Sequence, residues 1–88
     1  MQTHTNAQKV NDFVNERTQT GSIEARVQST VRLAVIQGMN HLAERNHRPD
    51  ADHREAEAFV KAAATASGLT QLEIWDAAFD AARERGIL

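Results

Sequence analysis

Residues 23 to about 45 constrain this chain more than any other stretch. They contain no proline, and Ile23, Val27, Val31, Ala34, Val35, Gly38 and Leu42 recur along them at helical spacing. Leu33, Ile36 and Met39 widen that stripe into a broad arc. A helix apolar over so much of its circumference needs neighbours on more than one side. Ser22 stands where an N-cap belongs, because its hydroxyl can accept from an unpaired amide of the first turn. Gly38 interrupts the stripe at a cost of about 1 kcal/mol relative to alanine. Its presence suggests either that another helix passes close by or that the helix tolerates a weak point there.

The rest of the chain supplies three shorter helices. The opening MQTHTN is polar and unpatterned and is expected to fray. From residue 7 to about 17, Ala7, Val10, Phe13 and Val14 make a short amphipathic helix, broken by TQTGS. The loop NHRPDAD holds the only proline, Pro49. DHRE, from Asp52 to Glu55, then has the spacing of a capping box. It predicts a third helix to about Ser67 that buries Ala56, Phe59, Val60, Ala63 and Ala64. Gly68 ends that helix, and TQLE, from Thr70 to Glu73, forms a second capping box with Leu69 and Ile74 placed as its hydrophobic staple. The fourth helix should reach about Arg85, where Gly86 stops it and Ile87 and Leu88 can fold back. No segment alternates as a strand does. The expectation is an all-α single domain over residues 1–88, four helices ending in a helical hairpin.

That hairpin resembles a helix-turn-helix over residues 60–79. Ala64 is small enough for a close crossing, Gly68 makes the turn, Leu69 and Ile74 plug the space between the helices, and Thr70 caps the second. Gln71 stands where the family often places a glutamine that reaches phosphate or base edges. Ser67 departs from the pattern, which usually has a larger apolar residue there. The resemblance implies a DNA-binding regulator, with Thr70, Gln71, Arg54 and Lys61 at the DNA and Arg45 and Arg48 assisting on the backbone. Against this, the groove-facing positions would include Leu72, Trp75, Asp76 and Phe79, whereas base readers are typically Arg, Lys, Asn and Gln. From Arg54 to Arg85 the hairpin carries six acids against four bases, with Glu73, Asp76, Asp80 and Glu84 read as an exposed stripe. An ordinary capped hairpin explains the six matching positions equally well, and is preferred.

Leu72, Trp75 and Phe79 share one face at i, i+3, i+7, the spacing of core residues or of anchors for a partner's groove. Asp76, Asp80 and Glu84 stack like charges, either as a solvated face or as a docking strip for a basic partner. Leu72, Trp75, Asp76, Phe79 and Asp80 are therefore the candidate partner-binding residues. His41, His47, His53, Asp50 and Asp52 cluster around the loop without metal-ligand spacing. A polar loop is the simpler account of them, and no metal or cofactor is expected.

Composition narrows the function. Net charge is −2, which gives no overall attraction to nucleic acid or anionic lipid. The chain has no cysteine, which excludes disulfides and thiol nucleophiles, and no apolar run suits a signal peptide or membrane span. A cytoplasmic location is the default. There is no phosphate loop, no nucleophile elbow and no spacing that suggests a carboxylate cleft, so an enzyme is not expected. Three Phe, one Trp and no Tyr make a thin core, which favours self-association. The expected function is a non-enzymatic regulatory protein acting through protein contacts as a homodimer; the alternative is the helix-turn-helix regulator.

Overall fold

A computed structural model describes residues 5–88 and shows four helices, with no strand among those residues: α1 (Asn6–Asn15), α2 (Ile23–His47), α3 (Arg54–Ser67) and α4 (Gln71–Glu84). The expected fold class is observed. Among the described residues no helix is long and apolar enough to cross a membrane.

Each helix start has a local cause. Thr5 Oγ1 accepts the Gln8 amide at 3.1 Å, so α1 begins one residue earlier than the apolar pattern suggests. Met1 to His4 lie outside the described residues, but Thr5 and Asn6, expected to fray with them, form this cap and first turn. Ser22 caps α2 through the Ala25 amide as expected. The capping box of α4 is present in both directions. Thr70 Oγ1 accepts from the Glu73 amide at 3.1 Å, and Glu73 Oε1 accepts from the Thr70 amide at 2.9 Å. Its staple residues Leu69 and Ile74 are both buried.

The start of α3 differs from expectation. Its N-cap is His53, in a helical conformation and with no side-chain cap. Asp52 Oδ1 instead accepts the Arg54 amide at 2.9 Å, and the carboxylate grips the Arg54 guanidinium from Nε and Nη2, the latter at 2.7 Å. A charge-assisted fork holds the carboxylate more firmly than a single bond to a helix amide. The Arg54 side-chain and amide hydrogen bonds hold the Asp52 carboxyl down at about 2. DHRE is therefore an Asp turn followed by a helix, not a capping box.

The helices meet in two adjoining apolar clusters. The larger joins Ala7 and Val10 of α1, Val31 and Ala34 of α2, Val60 and Ala63 of α3, and Leu69, Ile74 and Ala77. The smaller joins Met39 and Leu42 of α2 to Ala78 and Ala82 of α4, with Ile87 packed against it. Trp75 packs against both. The tail turns back at Gly86, whose φ of +73° lies in the left-handed region. The Ile87 amide then donates to the Ala82 carbonyl, and Asn46 Nδ2 donates to the Ile87 carbonyl. Leu88 stays exposed.

The stripe on α2 is narrower than its sequence implies. Val31, Ala34, Gly38 and Leu42 are buried, but Ile23 is 75% exposed and Leu33 and Ile36 also face outward. The molecule is only 19 Å through its short axis, about two helix diameters, so α2 is covered on part of its circumference.

At Gly38 the expected close approach is present. A Cβ added there would lie 3.0 Å from Ala78 Cβ and 3.3 Å from Cζ3 of Trp75. Ala78 Cβ is fixed to the α4 backbone and cannot yield by rotation. Gly38→Ala should gain about 1 kcal/mol of helix propensity but lose about 1–3 kcal/mol to overpacking. We predict a net loss of stability on urea unfolding, larger for Gly38→Val. An alanine variant at least as stable as the wild type would contradict this packing.

Candidate functional site

The capping box sets the register of α4, and the register decides which side chains face water. Glu73, Ile74, Ala77, Ala78 and Ala82 turn inward. Leu72 is left 66% exposed and Phe79 37% exposed, with Trp75 half-buried between them. The apolar face expected at i, i+3, i+7 therefore exists on the surface. Leaving Leu72 exposed forgoes about 1.5–3 kcal/mol of burial, which association with another surface would recover.

Beside this face lies a cleft of about 260 Å³ between α2, α3 and α4. Trp75, Phe79 and Leu42 supply apolar wall, while Arg45, His53, Glu57 and Gln71 supply polar wall. His41 completes it, its ring 6.3 Å from the Trp75 ring in an edge-on arrangement and 6.4 Å from the His53 ring. His53 Nε2 lies 3.3 Å from a Glu57 carboxylate oxygen. His41 is buried, and its Nε2 has no hydrogen-bond partner among the described residues. A buried imidazole nitrogen without a partner costs about 1–3 kcal/mol, so its persistence at a cleft wall needs a reason. In sequence His41 groups with the polar loop; its position one turn beyond Gly38 was the sign that it would face Trp75. Among the described residues no cluster of three or more metal-ligating side chains forms, and the loop histidines do not converge as one.

The exposed acidic stripe expected on α4 is only partly present: Glu84 is exposed, but α1 packs beside Glu73 and Asp76. Glu73 is buried, pairing with Lys9 Nζ at 2.6 Å as well as closing the capping box. The hydrogen bond from Lys9, with that from the Thr70 amide, pulls its carboxyl down to about 2. Asp76 is half-buried and accepts from Asn6 Nδ2 at 2.7 Å. Asp80 is half-buried and lies 3.6 Å from Arg83. Asp76 and Asp80 thus belong to the fold and its local pairing more than to a free docking strip. The reason was not legible: nothing in α1 announces that Asn6 and Lys9 would meet α4 across more than sixty residues of chain.

The residues that would touch DNA are also scattered in their roles. Thr70 spends its hydroxyl on the capping box, and Arg54 is gripped by Asp52. Gln71 is exposed at the start of α4 but lines the cleft. Arg45 lines the same cleft, Arg48 lies 3.5 Å from Glu44, and Lys61 is exposed on α3. The expected turn between α3 and α4 is present, with Gly68 at φ +81° donating its amide to the Ala64 carbonyl. Yet α4 packs mainly on α1 and α2 and only lightly on α3.

Compared with protein-family models, curated proteins and solved structures, the chain shows no match.

The Lys9–Glu73 pair carries a pH prediction. Because the folded-state pKa of Glu73 lies below its ordinary 4.5, the pair stabilises the fold above that pH and loses its effect as the pH falls toward about 2. Glu73→Gln should be less stable than wild type near neutral pH. The two unfolding free energies should converge through that acid window in denaturant titrations. A gap unchanged down to about pH 2 would contradict the pairing.

Proposed function

We propose that this chain is a non-enzymatic interaction protein that regulates by binding protein, and that it self-associates as a homodimer through the outer face of α4. One observation carries the proposal: Leu72 and Phe79 stand exposed on either side of Trp75, next to an apolar cleft. Aromatic and aliphatic anchors of this kind, gathered around a pocket, are what a protein interface concentrates its affinity on. The outward Leu33 and Ile36 of α2 add apolar surface that a thin monomer leaves wet.

Within that face, Trp75, Leu72 and Phe79 act as the anchors. The Arg45 guanidinium at the cleft can donate to an acceptor group on the partner's inserted side chain, and His41, whose Nε2 lacks a partner among the described residues, lines the same cleft. Asp76 and Asp80 take part only at the rim, because one is bonded to Asn6 and the other pairs with Arg83. A major-groove role for α4 finds no favouring observation. Its outward line offers Leu72 and Phe79 where base-reading side chains would be needed.

Sedimentation velocity at micromolar concentration tests this reading. The expected result is a mass near twice the chain's own. Leu72→Ser combined with Phe79→Ser should return the protein to a monomer with unchanged helical circular dichroism, since neither side chain is in the core. A wild-type monomer across that range would contradict the homodimer. In parallel, a gel-shift assay on random duplex at low salt, where electrostatic binding is strongest, should show no complex.

A further inference from the structure

Another concave feature of the molecule lies at the other end of α2 and has the opposite character. It is an open cleft of about 650 Å³ between the α1–α2 connector, residues 16–22, and the first turns of α2. Arg17, Arg26 and Arg32 line it, and Glu16 is the only acid in its lining. On a chain whose net charge is −2, three arginines and a single acid line this one space.

The cleft is built rather than incidental. Gln28 is buried, and its side-chain amide is used three times to fix the connector. Its Nε2 donates to the carbonyls of Phe13 and Glu16, at 2.9 and 2.7 Å, and its Oε1 accepts from Thr18 Oγ1 at 2.9 Å. Arg32 Nη2 donates to the Val14 carbonyl at 3.0 Å, which holds that guanidinium against the end of α1. Gly21, at φ +84°, turns the chain into the Ser22 cap. Arg17 and Arg26, by contrast, make no ion pair among the described residues, and neither do the Ser29 and Thr20 hydroxyls make a hydrogen bond there. The result is a fixed frame that presents two uncommitted guanidinium groups and two hydroxyl donors to one space. The positive end of the α2 dipole lies beside them.

We propose that this cleft binds a small phosphorylated ligand, whose phosphate oxygens are held by Arg17 and Arg26, with Arg32, Ser29 and Thr20 completing the donor set. Planar guanidinium forks match the oxygen geometry of phosphate in pairs, and a frame fixed in advance reduces the ordering needed on binding. Three cations gathered in one cleft suit a compact anion. A nucleic-acid strand would need a longer basic track than this surface offers.

Amide-resolved NMR titration with inorganic pyrophosphate at low salt tests the assignment on the intact chain. The expected result is saturable shifts confined to residues 14–32, weakened by added salt. Arg17→Met and Arg26→Met, both exposed positions that leave the Gln28 frame intact, should each weaken binding about tenfold. Arg54→Met and Lys61→Met, on α3, should leave it unchanged. Three results would overturn the proposal: no saturation with pyrophosphate, equal weakening by the α3 variants, or tighter binding of a short single-stranded oligonucleotide that lacks terminal phosphate. None of these outcomes bears on the α4 face, so this site and the proposed interface stand or fall separately.

Discussion

The approach of α4 to α2 at Gly38 is the contact on which the rest of the structure depends. With no side chain at that position, Ala78 and the Trp75 ring reach the α2 backbone. The two apolar clusters lie on either side of this crossing, and Trp75 touches both. The largest fully buried side chains are Ile74, Val10, Val31 and Val60, none of them aromatic. A core of valine and alanine gains little from any one side chain, so it depends on backbones lying close together. Alanines at 77, 78 and 82 of α4 serve the same end. That closeness has a geometric price at the surface: with α4 pressed inward along its alanines, its larger side chains at 72 and 79 must point away.

Much of this was legible in the sequence, and the reasons for success and failure are local. The α4 start was legible because Thr70, Glu73, Leu69 and Ile74 form a motif whose members all lie within six residues. Gly38 was legible because a glycine inside a helix has a known cost and few compensations. The start of α3 was misread because Asp52 had two uses available within reach, and pairing with Arg54 prevailed over capping. The breadth of the α2 stripe was overread. Periodicity reports which residues could be buried, and only the count of neighbouring helices decides which are. The acids of α4 were misplaced for a related reason, since their burial depends on α1, a helix that lies far away in sequence. Contacts of that separation leave no local trace. The same limit hid the Gln28 clamp, whose three partners are spread over residues 13–18.

Two of the concave regions, one at each end of α2, differ in chemistry. One end of α2 meets α3 and α4 around an apolar cleft with Trp75, Phe79 and a buried histidine lacking a hydrogen-bond partner among the described residues. The other meets the α1–α2 connector, which a buried glutamine fixes, around three arginines. Between them runs the Gly38 crossing, where α4 meets α2. In this account a helix with 25 residues serves as the common beam, and its neighbours determine what each end presents.

Native-state hydrogen exchange tests the central claim most directly, because it reports the free energy at which each amide opens. If the Gly38 crossing holds the fold together, amides of α2 around residues 34–42 and of α4 around residues 74–82 should exchange only through global unfolding. They should share one opening free energy, equal to that from denaturant titration, while amides of α1 open at lower cost. If the α4 amides instead exchange by a local opening well below the global value, with α2 and α3 still protected, the crossing is not the contact on which the structure depends.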